Sequence, residues 1–268
     1  MTPLLEAEAL DKVYTRQALI RAHAPSKVLS QINFAISTGE SVAILGRSGS
    51  GKSTLLRQLL GLERPSAGSV SFYGRDLSLM TAQETQNFRR ACQMVFQDSI
   101  SAVNPRHTVR RIISEPLRYL TTLNEAARNL KIAELLTSVG LDPSDADKLP
   151  NQMSGGQLQR VCIARSLSTE PKLLVLDEAV SNLDILLQGQ IIDLIKAMRQ
   201  RLGMAILFIT HDLRLVHLLC ERVAVLDHGI ITETANVQSG LSLKSAEGRA
   251  LQNAVLPGRP ASNVVVKF

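Results

Sequence analysis

Short apolar runs alternate along the chain with helical periodicities, and turns separate the two. Runs of five or six mostly apolar residues are typical of buried strands; they lie at residues 41–45, 92–97, 172–176, 204–209 and 222–227. A long amphipathic pattern at residues 185–201 predicts a helix. Strands that alternate with helices indicate an α/β fold with a mostly parallel sheet, whose ligand groups are expected at the carboxyl ends of the strands.

Other segments carry weaker patterns. Residues 4–10 alternate apolar and acidic side chains, which predicts an edge strand with one exposed face. Residues 29–36 and 69–73 also predict strands, residues 84–90 a helix, residues 246–256 a short helix, and residues 257–268 a loose tail. Between residues 98 and 150, helical patterns separated by Pro105, Pro116 and Pro143 predict a helical insertion in the α/β core.

One stretch between a predicted strand and a predicted helix fits the pattern G-x-x-x-x-G-K-[ST] of a phosphate-binding loop. It comprises Gly46, Arg47, Ser48, Gly49, Ser50, Gly51, Lys52, Ser53 and Thr54. The glycines allow successive N–H groups to face one concavity, and the helix start adds partial positive charge. Lys52 can reach the β- and γ-phosphates of a nucleotide, and Ser53 can ligate Mg²⁺. A Gly/Ser turn that contains a lysine by chance fits less well, because the flanking elements are correct for the motif.

Two further segments extend this chemistry. Asp177 and Glu178 end an apolar strand, where one carboxylate can orient Mg²⁺ and the other can activate water; the alternative is a solvated turn. Residues 154–157 (Ser154, Gly155, Gly156 and Gln157) start another helix, whose open N–H groups suit an anion. The alternative there is an ordinary helix cap, but a chain with one phosphate loop has no evident need for a second anion-binding helix start.

Composition narrows the function classes. The formal net charge is +6. Such a charge is compatible with nucleic-acid binding, with attraction to an anionic membrane surface, or with an ordinary solvated surface. The basic residues are dispersed, which favours the last two and argues against nucleic-acid binding. Cys92, Cys162 and Cys220 are expected to be buried thiols in a reducing compartment. No signal peptide and no run long enough to span a bilayer is seen, so we expect a cytoplasmic protein that meets membranes through a partner.

Together these segments resemble the motifs of ATP-binding cassette (ABC) ATPases, in the order typical of that family. Residues 153–157 resemble its signature motif, Gln97 its Q-loop, residues 173–178 its Walker B strand, and residues 181–184, which end at Asp184, its D-loop. His211 stands in the position of the switch histidine, and Tyr14 in that of the aromatic residue that stacks on adenine. The resemblance covers roughly residues 4–235.

The resemblance implies a fold, cofactors and roles. It implies a P-loop NTPase core with a mostly parallel sheet, an N-terminal antiparallel β subdomain and an inserted α-helical subdomain at about residues 98–165, followed by a short extension at residues 236–268. ATP and Mg²⁺ are the implied cofactors. Glu178, His211 and Gln97 would be catalytic; Ser53, Gln97 and Asp177 would organise Mg²⁺. Residues 154–157 would contact the γ-phosphate held by a second ABC ATPase.

Within the family, residues 95–106 are similar to the dipeptide, oligopeptide and nickel importer ATPases. Ser99, Val103 and residues 178–184 depart from the usual pattern of that group and match its nickel-importing members best. This implies a paralogous ATPase, two membrane permeases and an extracytoplasmic binding protein as partners, at the cytoplasmic face of the inner membrane. A peptide or metal-chelate importer and a non-transport ABC ATPase remain as alternatives.

Overall fold

The structure, a computed structural model, describes residues 2–15, 25–180, 185–237 and 241–254. The strands are β1 (Leu5–Tyr14), β2 (Ser26–Ile36), β3 (Ser41–Leu45), β4 (Ala67–Phe72), β5 (Arg75–Asp76), β6 (Cys92–Val95), β7 (Leu173–Asp177), β8 (Ala205–Thr210), β9 (Arg222–Asp227) and β10 (Ile230–Asn236). The helices are α1 (Lys52–Leu59), α2 (Ala82–Ala91), α3 (Val109–Leu120), α4 (Glu125–Ser138), α5 (Gly155–Leu167), α6 (Ile185–Leu202), α7 (Leu213–Leu219) and α8 (Ala246–Asn253).

The predicted mostly parallel sheet is confirmed. Its strand order is β10-β9-β3-β8-β7-β6, and every neighbouring pair is parallel except β9 and β10. All residues of β3 and β8 are buried, as expected for central strands covered on both faces. The carboxyl ends of β3, β6, β7 and β8 therefore lie at one edge of the sheet, where the candidate residues were expected.

The N-terminal strands form the expected antiparallel subdomain, with the strand order β2-β1-β4-β5. The prediction that residues 4–10 form an edge strand was wrong, because β1 pairs with β2 on one side and with β4 on the other. The alternation of apolar and acidic residues in β1 instead indicates that one face of the sheet is exposed to solvent: Leu5 and Ala7 are buried, whereas Glu8 is exposed. Exposure of one face does not reveal whether the backbone is paired at both edges.

Helices α3, α4 and the start of α5 lie in the segment predicted to be helical, between β6 and β7. The prediction that Pro116 separates two helices was wrong, since Pro116 lies inside α3. The proline cannot donate a hydrogen bond to the Ile112 carbonyl one turn earlier. The helix continues because its apolar face, which includes Ile113 and Leu117, is fully buried against the neighbouring helices.

Several elements near the C-terminus differ from the sequence prediction. Strand β10 and helix α7 were not predicted, and α8 ends at Asn253 rather than at residue 256. The predicted tail at residues 257–268 lies outside the described residues. β10 alternates exposed and half-buried side chains, and α7 has only seven residues, so neither carries the long periodic pattern that identifies an element.

Two apolar clusters lie on opposite faces of the parallel sheet. On one face, alternate strand residues such as Leu176 and Phe208 pack against α3, α4, α5 and α6. On the other face, residues such as Val175 and Leu207 pack against α1 and the antiparallel sheet. The predicted buried thiols are confirmed: Cys92, Cys162 and Cys220 are buried and free. The edge with the candidate residues is thus held rigidly from both faces.

Candidate nucleotide-binding site

The loop between β3 and α1 adopts the sharply curled path expected of a phosphate-binding loop. Gly49 has a φ of 82° and Gly51 a φ of 107°, backbone conformations that favour glycine. A side chain at Gly46 would place its Cβ 2.3 Å from the Leu226 carbonyl oxygen. Gly51 caps α1 without a side-chain hydrogen bond, and the first turn of α1 has no acidic residue. The N–H groups at this helix start are therefore open to an anion.

Lys52, the first residue of α1, closes the loop with its side chain. Its Nζ donates hydrogen bonds to the carbonyl oxygens of Gly46, at 2.6 Å, and Arg47, at 2.7 Å. Burial lowers the pKa of Lys52, and the nearby charges of Glu178, Asp177 and Glu247 oppose that shift. These contacts fix an ammonium group at the mouth of a loop that already presents backbone donors.

The acidic pair lies at the end of β7, beside the loop. Burial, and next the charge of Glu178, raise the pKa of Asp177, whereas Lys52 counteracts this shift. Glu178 has a left-handed backbone with a φ of 47°, and its N–H donates to the Ile209 carbonyl at 2.9 Å. A left-handed backbone is strained for a residue with a side chain, and such strain is typical of functional sites.

His211 follows β8 and contacts the acidic pair. Its Nδ1 lies 3.1 Å from Oε1 of Glu178. The His211 side chain is 57% exposed, whereas that of Glu178 is 18% exposed. Gln97, two residues after β6, is exposed at the same edge.

The predicted residues of the loop, the acidic pair, Gln97 and His211 come together around one cavity of about 790 Å³. Its predicted lining residues are Arg47, Ser48, Gly49, Gly51, Lys52, Ser53, Thr54, Gln97, Asp177, Glu178 and His211. Ser50 of the loop does not line the cavity: it is buried, and its carbonyl accepts a hydrogen bond from the Gly229 N–H at 2.9 Å. Three oxygen-bearing side chains in the cavity, those of Ser53, Gln97 and Asp177, form a donor set that suits Mg²⁺.

Tyr14 is not among the residues that line the cavity. Its hydroxyl donates to Oε2 of Glu63 at 2.6 Å, and the Lys12 ammonium lies 5.1 Å from the centre of its ring. Both contacts hold the ring at the end of β1. Its role in adenine stacking stays a prediction.

The second predicted anion-binding helix start also lies outside the cavity. Ser154 caps α5: its Oγ accepts from the Gln157 N–H at 3.2 Å, and Oε1 of Gln157 accepts from the Ser154 N–H at 2.9 Å. Gly155 is exposed, and a Cβ added there would meet nothing within 4 Å. The helix start is thus formed and open on the outside of the chain. Asp184, predicted to act nearby, lies outside the described residues.

One part of the cavity wall was missed by sequence reasoning. Leu251 and Ala254, at the C-terminal end of α8, also line the cavity, and Glu247 forms an ion pair with Arg47 of the loop. The helix itself was predicted, but no pattern in the sequence indicates against which surface a short C-terminal helix packs.

A phosphate loop, an acidic pair at a strand end and a histidine that contacts it are the features of a P-loop ATPase. A model described as "ABC transporter" matches residues 29–181. The chain belongs to the ABC transporter family.

Curated relatives agree with the narrower prediction from the sequence. The nickel import ATP-binding protein NikE of Rhodospirillum rubrum is 58% identical over 262 residues, covering 98% of this chain and 95% of the relative. A protein of the same name from Escherichia coli (strain 536) is 53% identical over 257 residues, covering 96% of each chain. The predicted similarity to nickel importer ATPases is therefore confirmed.

Solved structures agree on the fold. The dimeric ATP-binding cassette MJ0796, in a post-hydrolysis state bound to ADP and Pi, has a TM-score of 0.78 and 28% identity, covering 87% of this chain and 98% of that chain. CbiO1 of Clostridium perfringens, part of the transporter complex cbiONQ, has a TM-score of 0.74 and 28% identity, covering 89% and 90%. The predicted α/β fold of an ABC ATPase is confirmed.

Proposed function

We propose that the chain is the ATP-hydrolysing subunit of an ABC importer that takes up nickel or a nickel chelate through a membrane permease. The observation that carries the ATPase function is the cavity in which Lys52, Asp177, Glu178 and His211 meet. Nickel as the substrate is supported by the names of relatives that are 53–58% identical over nearly the whole chain. Residues 4–235 would form the ATPase domain, with the helical subdomain at about 98–165, and residues 236–268 a short extension.

The loop amides and Lys52 would hold the β- and γ-phosphates, since both supply positive charge at the same concavity. Mg²⁺ would be held by Ser53, Asp177 and Gln97. The raised pKa of Asp177, caused by burial and by the charge of Glu178, supports a cation at this position. Two adjacent carboxylates in a partly buried site leave an excess of negative charge, which a cation offsets. When bound, Mg²⁺ neutralises the charge of the phosphate oxygens.

Glu178 would act as the general base. Its carboxylate accepts a proton from the attacking water as the water oxygen bonds to the γ-phosphorus and the bond to ADP breaks. His211, held 3.1 Å from that carboxylate, keeps it in place and is close enough to the cavity to stabilise charge on the γ-phosphate. Glu178 and His211 both belong to strand ends of the rigid sheet, so hydrolysis needs little reorganisation of this half of the site.

A second ATPase would complete the site. The start of α5 is open and lies outside the chain's own cavity, which supports the proposal that residues 154–157 would contact a nucleotide held by another chain. The start of α6 exposes two large apolar side chains, Ile185 and Leu186, each 80% exposed. We propose a paralogue similar to NikD as the partner.

The permease would contact an apolar groove of about 460 Å³ that lies between the C-terminal end of α1 and β6. Phe96, which directly precedes Gln97, is 44% exposed there, and Leu62 is 63% exposed. Gln58 is 1% exposed in the groove, and its Oε1 accepts no hydrogen bond from the described residues. An amphipathic helix of the permease would cover the apolar side chains and could donate to Gln58. Motion in the permease would then reach Gln97 through its neighbour.

A permease is also the membrane component, since none of the helices in the described part of the chain is long and apolar enough to cross a bilayer. The protein would be peripheral, at the cytoplasmic face of the inner membrane. In this scheme an extracytoplasmic binding protein delivers the substrate, and the ATPase supplies only the energy.

Uptake of radioactive nickel tests the function. A strain that lacks this gene should regain nickel uptake with the wild-type gene but not with Lys52→Ala. Restored uptake of a dipeptide, with no change in nickel uptake, would instead support the alternative of a peptide importer.

Co-purification tests the proposed contact of the groove with the permeases. Phe96→Arg should prevent co-purification with the permeases and leave ATP affinity unchanged. Normal co-purification of that variant would contradict the proposed contact.

A further inference from the structure

Helix α8 is anchored beside the phosphate loop by a set of contacts within the C-terminal part of the chain. Ser245 caps the helix, with its Oγ accepting from the Gly248 N–H at 2.9 Å. Glu233 of β10 accepts from the N–H groups of Lys244, at 2.8 Å, and Ser245, at 3.0 Å. Gln252 donates to the Leu241 carbonyl at 2.9 Å. These contacts fix the position of the helix along β10, and its remaining face is turned towards the nucleotide cavity.

Glu247 is the residue of α8 that meets the phosphate loop. It is 9% exposed, and its Oε1 lies 3.1 Å from Nε of Arg47. That oxygen accepts no hydrogen bond within the described residues, so the pair is held by charge without good hydrogen-bond geometry. One turn and two turns further along the helix, Leu251 and Ala254 line the cavity together with Lys52.

This arrangement places a negative charge at a site built to attract one. The charge of Glu247 acts on Lys52, where it favours the protonated ammonium, and it pairs with the guanidinium of Arg47, whose side chain is 65% exposed. A nucleoside triphosphate that approaches the loop is therefore repelled by the carboxylate of Glu247, which already forms an ion pair with Arg47. If the phosphates take Arg47, Glu247 is left buried beside them without its partner, which is costly. The Glu247 carboxylate and the phosphates therefore compete for Arg47.

We propose that α8 is a competitor of nucleotide built into the chain, and that ATP displaces it from the phosphate loop by replacing Glu247 as the partner of Arg47. The consequence is a lower affinity for ATP in the isolated subunit than the loop alone would give. This inference rests on the proposed assignment of the phosphate loop as the ATP site, and it adds a regulation of that site by the C-terminal extension.

Nucleotide titration of the full-length protein tests the inference. Glu247→Gln keeps the size of the side chain and removes its charge, so it should lower the Kd for ATP by about fivefold, the change that a coupling of about 1 kcal/mol produces. The gain should be smaller for ADP and absent for adenosine, because it depends on phosphate charge. It should also shrink at 1 M salt, where charges are screened. Glu134→Gln, which removes the same charge from an exposed position on α4, should leave all these constants unchanged.

Limited proteolysis of the wild-type protein provides a test that needs no variant. Arg249 is exposed on α8, and trypsin should cleave after it several-fold faster when saturating ATP has loosened the helix. An equal or weaker ATP affinity of Glu247→Gln, an equal gain with adenosine, or a rate of cleavage that ATP does not change would each overturn the inference. A wild-type protein that binds no ATP would instead overturn the proposed function itself.

Discussion

Glu178→Gln should separate ATP binding from ATP hydrolysis. The amide has the size of the carboxylate, so the Glu178 backbone bond to Ile209 and the contact with His211 can both persist. What the amide cannot do is accept the proton of the attacking water. Loss of a general base costs about 10²–10⁴-fold in rate, equivalent to about 2.7–5.4 kcal/mol in the barrier. We therefore expect the hydrolysis rate to fall by at least about a hundredfold.

ATP binding should survive the same change. Burial and, next, the charge of Glu178 raise the pKa of Asp177, so removal of that charge lowers the pKa and favours the ionised carboxylate, the form that suits Mg²⁺. The repulsion between the triphosphate and the acidic pair also falls. The affinity for ATP should be equal to or higher than that of the wild type.

The assay is steady-state phosphate release from the transporter assembled with the proposed second ATPase and permeases, alongside ATP titration of the same preparation. Glu8→Gln serves as the control, because Glu8 is exposed on β1 and its loss should change neither quantity. Sedimentation with ATP should also show that the Glu178→Gln subunit stays paired with its partner. Hydrolysis within a factor of a few of the wild type, at unchanged ATP affinity, would refute the role of Glu178 as the base.

Three other changes test the loop, the core and the thiols. Lys52→Ala should abolish measurable ATP binding, because the ammonium that meets the β- and γ-phosphates is lost; calorimetric titration measures this. Phe208→Ala should lower the free energy of unfolding by about 3–5 kcal/mol, measured by urea unfolding, since Phe208 is fully buried. Burial raises the pKa of the thiols of Cys92, Cys162 and Cys220, the last to about 12, so a thiol reagent at pH 8 should modify them only after unfolding.

The changes to the loop and to the core each have a matched comparison. Lys52→Arg should retain part of the ATP affinity, because it keeps the charge but not the fit to the loop carbonyls. Leu130 is 70% exposed, and Leu130→Ala should change the free energy of unfolding by less than about 0.5 kcal/mol. Unchanged ATP affinity of Lys52→Ala, or rapid modification of the thiols in the folded protein, would contradict the placement of these side chains.

The phosphate loop shows what a sequence can predict well. Its glycines, lysine and flanking strand and helix are contiguous, so the local pattern determines the local structure. Asp177 and His211 line the same cavity although they are far apart in sequence, because the ends of parallel strands converge at one edge. The family resemblance, and not a local pattern, singled out Gln97 and His211.

Features that depend on tertiary packing were predicted poorly. The alternation of β1 shows which face is solvated but not that a strand pairs on each side. Pro116 was read as a helix boundary, yet the buried apolar face of α3 outweighs one missing hydrogen bond. The packing of Glu247 against Arg47 joins residues 200 positions apart, and a single carboxylate in a short helix gives no signal of its partner.

The open start of α5 bears on how much ATP a cell would waste. If a second ATPase completes the site, as proposed, a chain without that partner would hydrolyse its nucleotide slowly, so subunits made in excess would consume little ATP. In a mixture of two different chains, the hydrolysis rate would follow the scarcer chain rather than the total amount of ATPase. Dividing one site between two chains would therefore protect against imbalanced synthesis, with no need for a separate inhibitor.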